Sequence, residues 1–435
     1  MRAAPGLLLL LAVAAGAAGC GAGRRDDGVT TIRFWGMGRE GEVVGELAKE
    51  FERDHPGVRV LVQQIPWSAA HEKFLTAHVG GSAPDVSQLG NTWIAEFAAL
   101  NAIEPLDPRV TASATLRRDD YFPGIWDTNV VDGTTWGVPW YVDTRVLFYR
   151  SDLLARAGYD TMPGSWAEWR AALAALKRTM PAGTDAIFLP ANEWTQPMIF
   201  GLQAGSTVLA DRDTRGAFSA PPFRRGFDFY ASLFKDGFAS PIGNQEMSNL
   251  YQEFARGNFA MYVTGPWNLG EFRSRLPDSL QDAWMTAPLP GPDGPESGVS
   301  TAGGSSLVVF RRSKHKDAAW QFVEYLSLPA TQARFFHLTG SLPARRSAWA
   351  DSALAGDPRA RAFATQLERV RATPKVPEME QISIRLQERA EAVIRGAQTP
   401  EEAMAALDRE VEQLLEKRRW LVARAGSGSG SGAGR

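Results

Sequence analysis

The chain is poor in cysteine and has no excess of charge of either sign. Its 435 residues include one cysteine, which excludes an intrachain disulfide and any metal site built from several thiolates. A formal net charge of −2 offers no basic surface for phosphates, so no nucleic-acid partner is expected. Aromatic residues make up 10% of the chain and include 14 tryptophans, which excludes disorder for most of it. The length is sufficient for one large core or two ordinary ones.

Signatures of catalysis and of cofactor or metal binding are also scarce. His71 and His78 stand two turns apart on one predicted helix, with no HExxH pattern and no third ligand nearby, which indicates a solvated face rather than a metal site. Gly36 and Gly38 lack the third glycine of a dinucleotide fingerprint, and no P-loop motif is present. Residues 301–306 lack the spacing of a nucleophile elbow. We therefore expect neither a cofactor nor a metal.

The N-terminus predicts export and lipid anchoring. The apolar run at residues 6–18 is shorter than the about 20 residues of a spanning helix, but suits a signal-peptide core. It ends in small residues directly before Cys20, which resembles the bacterial lipoprotein box, whose cysteine is acylated and becomes the new N-terminus. The alternative is an ordinary secretory signal with a stray cysteine. We expect a signal peptide over residues 1–19, a lipidated tether over 20–29, and an extracytoplasmic protein held at the membrane by lipid alone.

Strand and helix patterns alternate after the tether. Residues 31–35 and 58–62 alternate as strands around a segment with helical spacing, and residues 85–89 read as a third strand. Such alternation predicts a parallel sheet with crossover helices. Ligands gather at the carboxyl ends of parallel strands, which here are residues 35–40 and 88–93.

A series of segments carries a family resemblance. In chain order they are FW-G, a PDV strand end, LGNTW, GVPWYVDTRVLFYRSDLL, GPW, STAGGSSLVV and GSLPARRSAW. Together they resemble the extracellular solute-binding proteins of ABC importers, in the family that binds oligosaccharides such as maltose and trehalose. The resemblance extends from Thr30 to Trp420. It implies a periplasmic-binding-protein-like α/β fold, with two α/β lobes joined by hinge crossovers around a central ligand cleft.

The resemblance also implies boundaries and a function. Lobe one is expected at residues 30–141 plus 300–343, and lobe two at residues 142–299 plus 344–420. Residues 421–435 are expected to form a flexible Gly/Ser tail. The protein is expected to be a monomeric lipoprotein and not an enzyme. It would bind a di- or oligosaccharide in the cleft and deliver it to the subunits of an ABC permease.

A sugar needs hydrogen-bonding groups for its rim hydroxyls and aromatic planes for its C–H faces. The predicted loop ends supply both. The candidate ligand-binding residues are Arg39, Glu40, Gln88, Asn91, Tyr141, Asp143, Glu193, Trp194, Trp267, Gly303, Gly304, Ser305 and Arg345. By resemblance, Asp143, Glu193 with Trp194, and Trp267 match acidic and ring positions of the family. Arg39 and Glu40 could instead decorate a helix N-terminus.

Other candidates have alternative roles. Asp143 could form a surface ion pair with Arg145 or Arg150, and Trp267 could simply pack a lobe. Residues 303–305 are expected to present backbone N–H groups and a hydroxyl near a helix start.

Two alternative functions remain open. A secreted glycoside hydrolase also needs paired carboxylates among aromatic rings, and Asp143 and Glu193 could be that pair. A receptor for a non-sugar solute on the same fold, such as a polyamine or a metal ion, is the other alternative. Arg39 and Arg345 in the cleft would repel such a cation. Whether Arg345 or Arg346 faces the cleft is left open.

Overall fold

The computed structural model describes residues 28–428 and has a mixed α/β architecture. The strands are β1 (Thr30–Met37), β2 (Val58–Ile65), β3 (Val86–Gly90), β4 (Val130–Val131), β5 (Thr134–Thr135), β6 (Val138–Asp143), β7 (Val146–Arg150), β8 (Asp185–Phe188), β9 (Leu209–Ala210), β10 (Arg215–Gly216), β11 (Phe259–Thr264), β12 (Trp284–Ala287), β13 (Ser300–Thr301), β14 (Gly303–Val309), β15 (Leu342–Pro343) and β16 (Val370–Arg371).

Helices connect these strands and dominate the last third of the chain. They are α1 (Gly38–Asp54), α2 (Trp67–Val79), α3 (Ile94–Ala99), α4 (Asp107–Ala112), α5 (Pro123–Asp127), α6 (Ser151–Arg156), α7 (Trp166–Thr179), α8 (Thr195–Gln203), α9 (Pro221–Lys235), α10 (Leu250–Arg256), α11 (Trp267–Arg275), α12 (Lys316–Leu326), α13 (Pro329–Thr339), α14 (Ser352–Ala355), α15 (Pro358–Leu367), α16 (Met379–Ile394), α17 (Pro400–Leu414) and α18 (Glu416–Gly428).

The larger sheet has the order β15-β6-β14-β3-β1-β2. The strand β1 pairs parallel with β2 and β3, as the alternating pattern predicted. The strands β14 and β15 run antiparallel to their neighbours, so the sheet is mixed rather than parallel. Parallel pairing is confirmed only for β1, β2 and β3, which are joined by single crossover helices. A strand reached by a longer connection can pair in the antiparallel direction.

A second, four-stranded sheet has the order β12-β7-β11-β8. Here β7 is antiparallel to both of its neighbours, and β11 is parallel to β8. The larger sheet draws on residues 30–143 and 303–343, and this sheet draws on residues 146–287. Because β6 ends at Asp143, the larger sheet extends past the predicted boundary at residue 141. The lobe boundaries themselves stay a prediction.

Apolar faces with the predicted periods form the core. On α1, Val43, Val44, Leu47 and Phe51 are buried, as their helical spacing indicated. The ring of Trp140 on β6 is fully buried. The larger sheet therefore has buried support behind the strand ends that carry polar groups.

The C-terminal segment differs from its prediction. The helix α18 runs through Gly428, although a flexible tail was expected from residue 421. Arg418 and Arg419 hold the start of this helix by donating to the carbonyls of Asp213 and Thr214. Residues 421–425 (LVARA) include the good helix formers Leu, Ala and Arg, so the helix propagates beyond these anchors.

The signal peptide, Cys20 and most of the tether lie outside the described residues. Between residues 28 and 428, none of the helices has the combination of length and apolarity that crossing a bilayer requires.

Candidate functional site

A cavity of about 470 Å³ is lined by residues from both halves of the fold. From the larger sheet and its helices come Glu40, Trp67, residues 90–93, Tyr141, Val142, Gly303, Gly304 and Ser341. From the other half come Trp194, Thr195, Pro266, Trp267, Thr373 and Glu380, and the crossovers add Asp143, Arg145, Thr301 and Ala302.

The structure brings eight of the thirteen candidate residues to this cavity. They are Glu40, Asn91, Tyr141, Asp143, Trp194, Trp267, Gly303 and Gly304. Three more, Gln88, Glu193 and Ser305, contact residues of the wall from behind. The remaining two, Arg39 and Arg345, do not line it.

Arg345 is a structural residue. Its side chain is 6% exposed, and its Nε atom lies 2.6 Å from an Asp120 carboxylate oxygen. The Nη1 atom donates to the carbonyls of Thr115 and Ser327, each at 3.0 Å. Because these acceptors occupy a buried guanidinium, the prediction that Arg345 binds ligand was wrong. Arg346, its neighbour, pairs with a carboxylate elsewhere and does not line the cavity either.

Arg39 was also assigned incorrectly to the cleft. It lies in the first turn of α1, and its side chain is 62% exposed and paired with Glu42 at 3.0 Å. Glu40 is the next residue of the same turn and does line the cavity. Successive helical side chains point about 100° apart. Arg39 and Glu40 therefore face different directions, and of the two only Glu40 lines the cavity.

Tyr141 is held by a buried network behind the wall. Gln88 Nε2 and Ser305 Oγ both donate to the Tyr141 hydroxyl, each at 3.0 Å. The Gln88 Oε1 atom accepts the backbone N–H of Met37 at 2.7 Å, which fixes the amide. Having accepted two hydrogen bonds, the hydroxyl donates its own proton to the side chain of Glu40. Burial raises the pKa of Tyr141 well above its usual value, so it remains a neutral donor.

Glu40 is a carboxylate surrounded by neutral donors. Burial is the main effect and raises its pKa, while hydrogen bonds to the side chains of Tyr141, Trp67 and Ser341 partly oppose the rise. Among the described residues it has no Lys, Arg or His partner within ion-pair distance. The arrangement leaves a partly desolvated negative charge in the wall.

Arg145 ties together three of the candidates. It forms an ion pair with Asp143, and its Nη2 atom lies 3.2 Å from Glu193 Oε1. Its guanidinium lies over the indole of Trp267, 4.6 Å from the ring centroid. Burial raises the pKa of Asp143, Arg145 lowers it, and the negative charge of Glu193 raises it again. Sequence reasoning considered Arg145 only as a surface partner of Asp143, and so missed its place in the cavity wall.

Two further indoles lie in the wall and were not predicted. Trp67 begins α2 and is 42% exposed, and its ring meets that of Trp93 edge-on with centroids 6.0 Å apart. An exposed tryptophan directly after a strand and a proline is the signal that could have identified Trp67. Together with Trp194 and Trp267, these rings provide flat apolar surfaces on both sides of the cavity.

Glu380, on α16, connects the two sides and was also missed. Its Oε1 atom accepts from Thr92 Oγ1 at 2.8 Å and from Trp93 Nε1 at 2.9 Å. Nearby, Asn91 Nδ2 donates to the carbonyl of Ala302 at 2.8 Å. No local pattern marks Glu380, because its partners lie nearly 290 positions away in the chain.

Gly303 and Gly304 permit close approach of two strands. Both lie in β14 opposite the end of β6, and not near a helix start as predicted. Gly304 has a φ of +127°, and a Cβ atom there would collide with the carbonyl oxygen of Tyr141. A Cβ on Gly303 would contact the carbonyl oxygen of Asp143. The glycines thus keep the strand end that carries Tyr141 and Asp143 against β14.

This cavity lies between two α/β halves. Residues 37–333 of the chain match the model of the bacterial extracellular solute-binding protein family. The chain belongs to this family. The sugar-binding protein MalE of Xanthomonas citri has a similar structure, with a TM-score of 0.88 and 50% identity over 91% of this chain and 99% of MalE. These matches confirm the predicted family and fold.

Two curated relatives extend the comparison. The diacetylchitobiose binding protein DasA of Streptomyces coelicolor is 26% identical over 379 residues, which cover 83% of this chain and 86% of DasA. An uncharacterized lipoprotein of Streptomyces antibioticus is 29% identical over 367 residues, which cover 80% of this chain and 76% of that protein. Family members are extracellular solute-binding proteins, so this protein is located outside the cytoplasm.

Proposed function

We propose that this protein is the substrate-binding component of an ABC importer and that it binds a di- or oligosaccharide in the cavity. The observation that carries the proposal is the composition of the cavity wall, which combines indole rings with carboxylates, a guanidinium and hydroxyls. Rings receive the C–H faces of a sugar, and the polar groups bond its hydroxyls. The 50% identity to a sugar-binding MalE supports the same ligand class.

Delivery to the permease follows from closure around the ligand. A sugar that contacts Trp67 from one half and Trp267 from the other stabilises the conformation in which both are within reach. Binding therefore shifts the equilibrium between open and closed forms. The permease subunits would recognise the closed form and receive the sugar from it.

We assign the two lobes to residues 30–141 plus 300–343 and to residues 142–299 plus 344–420. The chain passes between the two sheets in the link from β6 to β7 and again between β12 and β14, which supports hinges near the first two boundaries. A third passage after β15 leads to α15, which packs near β12 of the second sheet.

We further propose that Cys20 carries the lipid that holds a monomeric protein at the membrane. The lipobox-like segment and the relation to a lipoprotein support this anchor. The protein is proposed to catalyse no reaction, because Asp143 and Glu193 share Arg145 as a common partner. Two carboxylates bound to one guanidinium are not free to act as the acid and nucleophile of a hydrolase.

The proposal is tested with maltose, trehalose, cellobiose and longer glucans in thermal-shift and calorimetric titrations. A sugar present at 100 times its Kd should stabilise the protein by about 2.7 kcal/mol. Reducing ends are measured in the same mixtures and should not increase. Absence of stabilisation by every sugar would contradict the proposed ligand class. Turnover that disappears in Asp143→Asn would instead indicate a hydrolase.

A further inference from the structure

Among the residues that the structure describes, two carboxylates in the cavity wall have no cationic partner within ion-pair distance. Glu40 is bonded by a backbone N–H and by the neutral side chains of Tyr141, Trp67 and Ser341. Glu380 accepts an indole N–H and a hydroxyl through its Oε1 atom, and within residues 28–428 its Oε2 atom has no hydrogen-bond donor. Glu380 therefore retains acceptor capacity through its Oε2 atom, and Glu40 adds a negative charge that no cation within ion-pair distance offsets among the described residues.

The cation that lines the cavity is already neutralised. Arg145 is shared by Asp143 and Glu193, so this cluster keeps an excess negative charge of its own. His71, which packs near the wall, is paired with Glu96 at 2.6 Å. Within the described part of the chain, four carboxylates thus stand against one guanidinium at the site.

The two arginines that sequence reasoning placed in the cleft do not alter this balance. Arg39 is solvated and paired with Glu42, and Arg345 is buried against Asp120. Because neither arginine lines the wall, neither repels a cation in the cavity. The electrostatic field in the cavity is set by Glu40, Glu380 and the cluster around Arg145.

From this excess of carboxylates, we infer that the site selects saccharides by charge. It rejects sugars that carry a phosphate or a carboxylate, accepts neutral sugars, and binds aminated sugars more tightly than their neutral parents. The inference rests on the proposed function, since it specifies the ligand class of the same cavity. The Oε2 atom of Glu380 can give an ammonium group a charge-assisted hydrogen bond, which is roughly twice as strong as a neutral one, and the charge of Glu40 adds to the attraction. An anionic ligand meets like charges inside a partly desolvated cavity.

The experiment compares derivatives of one sugar. The parent is maltose or trehalose, whichever binds more tightly, and its derivatives carry a 6-amino, a 2-amino, a 6-phosphate or a neutral 6-O-methyl group. Calorimetric titration should give at least one amino derivative an affinity about tenfold above the parent. The phosphate should bind at least about a hundredfold more weakly than the methyl ether, which controls for size.

Variants locate the effect. Glu380→Gln keeps an acceptor for Thr92 and Trp93 but removes the charge, so the difference between phosphate and methyl ether should shrink about tenfold. Glu388→Gln removes the same charge from an exposed pair on the outer surface of α16 and should leave that difference unchanged. An equal effect of the two variants would show that net charge, and not the cavity, discriminates.

The outcomes separate the two hypotheses. A phosphorylated sugar that binds as tightly as its methyl ether would overturn charge selection and leave sugar binding intact. Amino derivatives that all bind more weakly than both the parent and the methyl ether would overturn the preference for cations. Binding of no member of the set would overturn the proposed function, and charge selection with it.

Discussion

Arg145→Met tests whether one guanidinium holds the cavity wall together. The substitution preserves much of the aliphatic stem but leaves Asp143 and Glu193 without their shared cation. The three side chains are 12%, 29% and 21% exposed in the order Arg145, Asp143, Glu193. Loss of one partner from a buried ion pair costs about 3–5 kcal/mol, and surface pairs cost about 0–1. For this partly exposed cluster we expect the free energy of unfolding to fall by about 2–4 kcal/mol.

The pH dependence of this loss has a defined sign. Burial raises the pKa of Asp143 above its unfolded value, and Arg145 opposes the rise. Without Arg145 the pKa rises further, so the folded variant binds protons more readily than its unfolded chain. Its stability therefore increases as the pH falls through the folded pKa. The deficit relative to the wild type is expected to be largest near neutral pH and smaller at about pH 5.

Urea unfolding followed by tryptophan fluorescence measures these free energies. Arg385→Met provides the control, because it breaks an exposed pair with Glu388 and should lower the free energy of unfolding much less than Arg145→Met does. The double variant Arg145→Met/Glu193→Gln should recover part of the loss, since it removes one of the two repelling charges. A deficit below about 1 kcal/mol that does not change with pH would refute the role assigned to Arg145.

Three other substitutions give distinct outcomes. Trp267→Ala should weaken sugar binding by about 1–3 kcal/mol in calorimetry, with little change in the unliganded melting temperature because Trp267 is 47% exposed; unchanged affinity would place the ring outside the ligand site. Gly304→Ala should lower the urea midpoint through strain at positive φ and collision with β6, whereas Gly270→Ala, with open space around it, should not. Cys20→Ser should release the protein from the membrane fraction, and retention there would argue against a lipid anchor.

The sequence predicted the family and fold because those depend on repeating or extended signals. The apolar spacing of α1 and the alternation of β1 and β2 are local periodicities that the structure reproduces. The direction of β14 is not local, since it depends on which strands it meets after more than 150 intervening residues. A parallel sheet was therefore predicted where a mixed one exists.

The site residues were predictable where they follow a strand and unpredictable where they arrive from a distance. Asn91 and Asp143 stand at strand ends, and both line the cavity. Glu380 reaches the same wall from a late helix that carries no motif. The prediction for Arg345 was wrong although its motif lies beside the larger sheet, because its guanidinium points into the interior and pairs with Asp120. The sequence shows that a residue is charged, but not whether that residue pairs with a ligand or with another side chain.

The wall proposed to bind ligand also carries contacts between the two halves. Glu380 lines the cavity with its carboxylate while its Oε1 atom bonds Thr92 and Trp93 on the opposite side. A ligand that bonds the Oε2 atom adds to this contact without breaking it, because the two oxygens have separate lone pairs. Sugar binding and the approach of the two halves then favour each other through one side chain. Since a ligand shifts a conformational equilibrium only by its differential affinity for the two forms, we expect Glu380 to link the proposed charge selection to closure.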